Sequence, residues 1–149
     1  MKRILVVCMG NICRSPTGEA VLRAKAAQLG VDVEVDSAGT IGYHQGNPPD
    51  SRSRKAGERR GYSFKGMSSR KVVMQDFTDF DLILAADKAN LADLYDICPA
   101  QCQHKLSLFL SHSDGKFDEI PDPYYGGDNG FELVLDLIEE ASEQILSKL

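Results

Sequence analysis

The stretch that decides the fold is ILVVCMGNICRSPTGEA, residues 4–20. Ile4 to Val7 are apolar and partly β-branched, as in a short strand buried on both faces. The run ends at Cys8. Gly10 and Asn11 follow, and both tolerate left-handed backbone geometry. Arg14 and Ser15 precede Pro16, a residue suited to the first turn of a helix. From Glu19 the pattern is helical as far as Gly30, which suits the C-terminal stop. The stretch reads as strand, tight loop, helix, with a cysteine opening the loop and an arginine closing it.

A loop at a helix N-terminus aims several backbone N–H groups at one point, and the helix dipole adds positive charge there. Arg14 adds a planar fork that binds phosphate bidentately. Met9, Gly10, Asn11, Ile12, Cys13, Arg14 and Ser15 are thus the candidate phosphate-binding residues. Cys8 would sit in a field that favours a nucleophilic thiolate. A phosphate held by the loop would present its phosphorus to the sulfur. The bland alternative is a buried structural cysteine, since free cysteines usually pack as small hydrophobes. Cysteine and arginine at this separation form a weak pattern alone. Between a buried strand and a helix, with Gly10, Asn11 and Ser15 in place, the pattern points to an oxyanion site.

The wider composition narrows the classes. A chain of 149 residues with 42% hydrophobic residues fits one domain spanning 1–149 with a real core. A net charge of −5 argues against non-specific nucleic-acid binding. No charged segment leads a long apolar run, and none approaches the length of a membrane span, so a cytoplasmic protein is expected. The four cysteines are then expected to be reduced. Cys98 and Cys102, four apart with Pro99 between, lack the spacing of a metal or redox pair and read as structural. His44, His104 and His112 have no metal-ligand spacing, so no metal and no cofactor are expected.

Along the chain, Val31 to Val35 alternates as a second, less buried strand, and Ser37 to Gly39 follows at its carboxyl end. Residues 40–50 read as loop. Asp50 suits the N-cap of a helix to Arg60 closed by Gly61. Its cations Arg52, Arg54, Lys55, Arg59 and Arg60 read as a solvated face. Residues 62–75 look irregular. Asp76 to Asp81 reads as a helical turn, Leu82 to Ala86 as a buried strand, Asp87 to Cys98 as a helix and Leu106 to Leu110 as a fourth strand. A long loop, 111–129, contains DPYYGG, and loops of that length are usually functional. Asp128 and Asn129 are cap candidates for a last helix, Phe131 to Leu149, striped by Leu133, Leu137, Ile138, Ala141, Ile145 and Leu149. The alternation predicts an α/β fold: one three-layer domain, an open four-stranded parallel sheet with helices on both faces. Ligands in such sheets bind outside the carboxyl ends of the strands, where Cys8 lies.

VCMGNICRSPTGEAVLR, residues 7–23, resembles the signature of the low-molecular-weight protein tyrosine phosphatases, and DPYYGG at 122–127 resembles that family's second signature. SAGT at 37–40 and GNPPDSR at 46–52 are similar to its intermediate segments. The resemblance covers nearly the whole chain. It implies hydrolysis of phosphotyrosine and aryl phosphates through a cysteinyl-phosphate intermediate, with Cys8 as nucleophile, Arg14 as phosphate clamp and Asp122 as general acid. The residues alone would also allow Asp122–Pro123 as a simple turn. The resemblance further implies cleft walls from Tyr43, Tyr124 and Tyr125, with His44 at a variable position that tunes substrate choice. It implies a role for Asn11 in holding the loop backbone, and a reversible Cys8–Cys13 disulfide; packing alone is the other reading of Cys13. Expected partners are phosphotyrosine proteins and phosphate-like oxyanion inhibitors, with no nucleic acid, no membrane, and a monomer or weak self-association. The chain departs from the family pattern at Ala86, where many members carry methionine. It departs again at Arg60 and Gly66, which match histidines of mammalian members. Two alternatives share the scaffold. A thiol-dependent arsenate reductase would need a cysteine relay, for which Cys98 and Cys102 are the candidates. A phosphoarginine phosphatase would be expected to carry threonine in place of Ile12. A phosphopeptide-binding module would need neither Cys8 nor Asp122.

Overall fold

The computed structural model describes residues 1–115, 117–123 and 128–149, with the Asp128 side chain outside that description. Four strands, β1 (Lys2–Cys8), β2 (Val33–Gly39), β3 (Leu82–Ala85) and β4 (Leu106–Leu108), form an all-parallel sheet in the order β2-β1-β3-β4. Among the described residues, five α-helices surround it: α1 (Arg14–Leu29), α2 (Ser51–Arg59), α3 (Met74–Asp79), α4 (Lys88–Ile97) and α5 (Asp128–Ser147). Parallel strands need such crossovers, and the crossovers bury both faces of the sheet. Ile4, Leu5, Val6 and Val7 are accordingly inaccessible to solvent. The two-residue period of β1 sends Ile4, Val6 and Cys8 into the core shared with α1, α2 and α5. Leu5 and Val7 enter a second core with Phe77 of α3 and Leu94 of α4.

The chain leaves β1 to form β2 on one side and returns as β3 on the other. The carboxyl end of β1 is therefore the switch point of the sheet, the place where a crevice opens. Cys8 occupies that end and pairs with Gly39 of β2.

Several element boundaries differ from the sequence expectation, each for a physical reason. α1 starts at Arg14 rather than Glu19, because Cys13 O accepts from both the amide and the hydroxyl of Thr17 and starts the helical ladder early. β2 runs to Gly39 rather than Val35. Its side-chain alternation ends at Val35, but backbone pairing with β1 continues to Cys8↔Gly39. α3 begins at Met74, two residues early, since Asp76 caps it by accepting from Val73 N. β4 stops at Leu108, and Phe109–His112 turns into a 3₁₀ helix. α5 begins at Asp128, so Asn129 is helical rather than a cap. Its buried stripe is Phe131, Val134, Leu135, Ile138, Ala141, Ile145 and Leu146, whereas Leu133 and Leu149 are exposed. A 100° turn per residue puts 131, 134–135, 138, 141–142 and 145–146 on one face and leaves Leu133 beside it.

Gly39 is where strand and loop approach most closely. A Cβ there would lie 2.7 Å from Met9 O, 3.0 Å from Ile41 O and 3.2 Å from Asn11 N, all backbone atoms that cannot swing aside. Gly39→Ala should therefore cost about 1–3 kcal/mol of stability, in the range of other overpacking substitutions. It should also weaken phosphate binding by pushing on the Met9–Asn11 backbone. Chemical denaturation and phosphate titration of the variant check both; unchanged values would mean that the loop relaxes freely.

Candidate active site

The loop between β1 and α1 is held in shape by one side chain. Asn11 adopts φ 56°, the only non-glycine positive φ among the described residues. Asparagine tolerates this region because its short amide bonds locally. Here Asn11 Oδ1 accepts from the backbone N–H of Arg70 at 3.0 Å, which fixes which end of the amide is nitrogen. Asn11 Nδ2 then donates to the Ser15 hydroxyl at 2.8 Å and to the Ser37 hydroxyl at 3.0 Å. Each serine oxygen has received a proton and must aim its own hydrogen elsewhere. Ser37 donates to Glu19 Oε1 at 2.7 Å. Ser15 Oγ lies 3.0 Å from Cys8 Sγ and 3.4 Å from Ala38 O, so its hydroxyl hydrogen has the sulfur and that carbonyl within reach.

The far end of this chain is buried as well. Glu19 is 5% exposed and also accepts from Arg23. Burial pushes the Glu19 carboxyl above the usual carboxylate range, against the opposing pull of Ser37 and Arg23. The second strap behind the loop is the segment 69–72. Ser69 donates to Gly10 O at 3.0 Å, and Gly39 N and Val72 N complete a bridge to this segment. Arg70 is anchored by both oxygens of Asp76 and by Asp36. Sequence reasoning treated 62–75 as irregular and missed this strap. Its contacts to the loop run mostly through backbone atoms, which leave no pattern in residue types.

The front of the loop is open. Among the described residues, none of the amides from Gly10 to Ser15 donates to a carbonyl or side chain of the protein. Cys13 is the N-cap of α1 and offers no side-chain cap bond. Unsatisfied donors at a helix N-terminus form a ready anion cradle. Arg14 is 5% exposed, and its Nη1 bonds Asp87 Oδ2 at 2.8 Å and Ile120 O at 2.9 Å. Pinned on that side, the guanidinium presents its remaining edge to the cradle. Asp87, which the sequence marked as helix start, is the N-cap of α4 through Asn90 N and the anchor of Arg14.

A cleft of about 230 Å³ stands over the loop, lined by Cys8, Met9, Gly10, Ile12, Cys13, Arg14, Tyr43, His44 and Asp122. Cys8 is at its floor, 3% exposed. Ile120 carries the loop of Asp122 to it. Its N–H donates to Ala86 O, extending β3, and its carbonyl accepts from Arg14, which leaves Asp122 two residues on at the rim. Tyr43 and His44 stack edge to face, 4.9 Å apart, on the opposite rim. The His44 ring lies so close to the loop that a Cβ on Gly10 would be 2.9 Å from its Cδ2. Tyr124 and Tyr125 lie outside the described residues.

Cys13 also lines the cleft, but its thiol is buried against Ser53 of α2. Burial pushes its thiol up to about 12, with Ser53 of α2 pulling the other way and Asp50 and Cys8 adding to the rise. Cys98 and Cys102 belong to the core on the other face of the sheet. Among the described residues no group of three His, Cys, Asp or Glu side chains is arranged to hold a metal ion. The expected solvated face of α2 needs one correction. Arg60, just past α2, is half-buried and bonds Glu132, Asp136 and Glu139 of α5, while Tyr62 bonds Glu139. It locks α2 to α5, which composition alone did not reveal.

The sequence matches the model of the family "Low molecular weight phosphotyrosine protein phosphatase" over residues 3–149. The low molecular weight protein-tyrosine-phosphatase YfkJ of Bacillus subtilis is 40% identical, covering 100% of this chain and 96% of that protein. A protein tyrosine phosphatase from Entamoeba histolytica, crystallised with Hepes in the active site, superposes with TM-score 0.96 at 43% identity, covering 99% of this chain and 96% of that one. A Drosophila arginine phosphatase superposes with TM-score 0.91 at 33% identity over 99% and 97% of the two chains. The chain belongs to the low-molecular-weight phosphotyrosine protein phosphatase family, and is an enzyme of the phosphoric monoester hydrolase class.

The two loop thiols should separate chemically. At pH 8 a thiol pushed up to about 12 is almost wholly protonated and reacts slowly. Iodoacetamide should alkylate Cys8 first in the native protein, phosphate should protect it, and Cys13 should label only on unfolding. Peptide mapping checks this. Faster labelling of Cys13 would contradict the assignment of the open face of the loop.

Proposed function

We propose that this chain is a cysteine-dependent phosphatase that hydrolyses phosphotyrosine through a cysteinyl-phosphate intermediate. The observation that carries the reading is the Cys8 sulfur 3.0 Å from the Ser15 hydroxyl, in a cleft that also holds Arg14 and Asp122. The phosphate's three non-bridging oxygens bind the free loop amides and Arg14. Cys8 attacks phosphorus in line, the P–O ester bond breaks, and Asp122 gives its proton to the leaving oxygen. Water then attacks the cysteinyl phosphate and loses its proton to the Asp122 carboxylate. The P–S bond breaks, releasing inorganic phosphate and the thiolate. Ser15 serves both steps, since a hydrogen bond to the thiolate steadies the nucleophile and later the leaving sulfur. The positive charge comes from Arg14 and the helix terminus.

Specificity for phosphotyrosine rests on the cleft walls. Tyr43 and His44 give a flat aromatic rim suited to a phenyl ring, and Tyr124 and Tyr125 are proposed opposite them. The likeness to an arginine phosphatase supports phosphoarginine as the second reading. Ile12 at the cleft argues against it, since the resemblance gives those enzymes a threonine at that position. Arsenate reduction is disfavoured because Cys98 and Cys102 pack in the core on the sheet face opposite to Cys8 and Cys13. A relay would have to cross the sheet. A buried neutral Cys13 close to Cys8 fits a resolving thiol for a peroxide-oxidised nucleophile, and the absence of a membrane-spanning helix among the described residues fits action in the cytoplasm.

The test is a pair of variants on two substrates. Cys8→Ser should abolish turnover while keeping the fold and phosphate binding. Asp122→Asn should lower kcat roughly 10²- to 10⁴-fold on a phosphotyrosine peptide, the usual worth of a general acid. It should lose less on an activated aryl phosphate, whose phenolate leaves without help. The fall of activity at high pH should vanish in the variant. Equal losses on both substrates with an unchanged high-pH limb would show that Asp122 does not donate the proton.

A further inference from the structure

Beside the catalytic mouth lies a second hollow of about 160 Å³, lined by Arg52, Lys55, Arg59 and Phe131. Its two walls are the elements that start at the catalytic rim. α2 is tied to the loop at its beginning, where Asp50 N donates to Ile12 O at 2.7 Å and Ser53 interacts with the Cys13 thiol. α5 starts beside the acid loop, with Pro123 in contact range of Gly130. The hollow therefore continues the cleft outward, between Ile12 and Asp122.

Positions 52, 55 and 59 fall on one face of α2 and form a ladder of cations. At a rise of 1.5 Å per residue, Lys55 stands about 4.5 Å and Arg59 about 10 Å further from the mouth than Arg52. The acidic groups nearby are engaged on the inner side. Glu132, Asp136 and Glu139 bond Arg60, and Asp50 caps α2. On the outer side Arg52 lies over the Phe131 ring at 5.1 Å and 3.4 Å from Asp50. Arg59 is 69% exposed and meets Glu132 at 3.6 Å. Lys55 is exposed and, among the described residues, has no ion pair. In a chain of net charge −5, this gathers three cations on one face of α2 beside the substrate entrance.

We propose that this face of α2 is a docking groove for an acidic segment of the peptide that carries the phosphotyrosine. This rests on the phosphotyrosine reading above. An extended peptide advances about 3.3 Å per residue, so Asp or Glu side chains two to four residues from the phosphotyrosine reach Lys55 and Arg59 while the phosphate occupies the loop. The groove thus selects among phosphotyrosine sequences and leaves the chemistry untouched, because neither cation contacts the reacting atoms.

The experiment measures kcat/KM on two phosphotyrosine peptides, one with acidic and one with neutral flanks, and on an aryl phosphate. Wild type, Lys55→Ala/Arg59→Gln and Lys55→Glu/Arg59→Glu are compared at low and high salt. Wild type should favour the acidic peptide by roughly 3- to 10-fold at low salt through KM, with the preference shrinking at high salt. The neutral variant should lose the preference and the charge-reversed variant invert it, while aryl phosphate turnover, which reports folding, stays unchanged. A wild type that does not discriminate, or a neutral variant that still does, overturns the proposal. So does patch-dependent binding to phosphatidylserine vesicles without peptide discrimination, which assigns the face to a membrane surface. Failure to hydrolyse either peptide while aryl phosphate is turned over would instead overturn the phosphotyrosine reading itself, and this proposal with it.

Discussion

The structure depends on one amide group. Asn11 stands in left-handed backbone geometry, and its side chain reaches three elements at once: the 69–72 strap through Arg70, the end of β2 through Ser37, and the start of α1 through Ser15. A left-handed non-glycine residue costs about 1–2 kcal/mol. The buried hydrogen bonds of its amide offset that cost, and they matter because a half-satisfied polar cluster in this position would be destabilising. The same bonds hold the Ser15 oxygen beside the Cys8 sulfur. Backbone strain, loop shape and the environment of the Cys8 sulfur are thus one arrangement rather than three.

Stability and function pull in opposite directions at this site. A capped α1 would be more stable by about 1 kcal/mol, but Cys13 offers no cap bond and leaves the donors of the first turn for an anion. Arg14 is almost fully buried, and a buried guanidinium without a partner would be costly. Asp87 and Ile120 O hold one edge of it and leave the other for a ligand. The same two bonds connect α4 and the loop of Asp122 to the start of α1, so Arg14 also sets where Asp122 stands. The rigid β1 strand, buried on both faces, gives these groups a fixed base.

Much of this was legible in the residues because local chemistry and global fold agree there. The strand at Ile4–Val7, the tight loop after Cys8, the cap at Asp50 and the parallel three-layer sheet all follow from side-chain pattern and turn chemistry. What was not legible depends on backbone atoms or on distant partners. β2 extends through Asp36–Gly39 by pairing with β1, although its side chains no longer alternate. Arg60 looks like another surface cation of α2 until α5 brings three carboxylates to it. Arg70 supports the loop through its own N–H, which no residue pattern encodes.

The most direct test of the account is to catch the phosphoryl group on the sulfur. Wild-type enzyme turning over an activated aryl phosphate is quenched in acid within the first turnovers, digested, and mapped by mass spectrometry. The account predicts one phosphoryl group on the peptide that carries Cys8, and none in Cys8→Ser. A phosphoryl group on Ser15, or rapid turnover with Cys8 unmodified at every quench time, would contradict it.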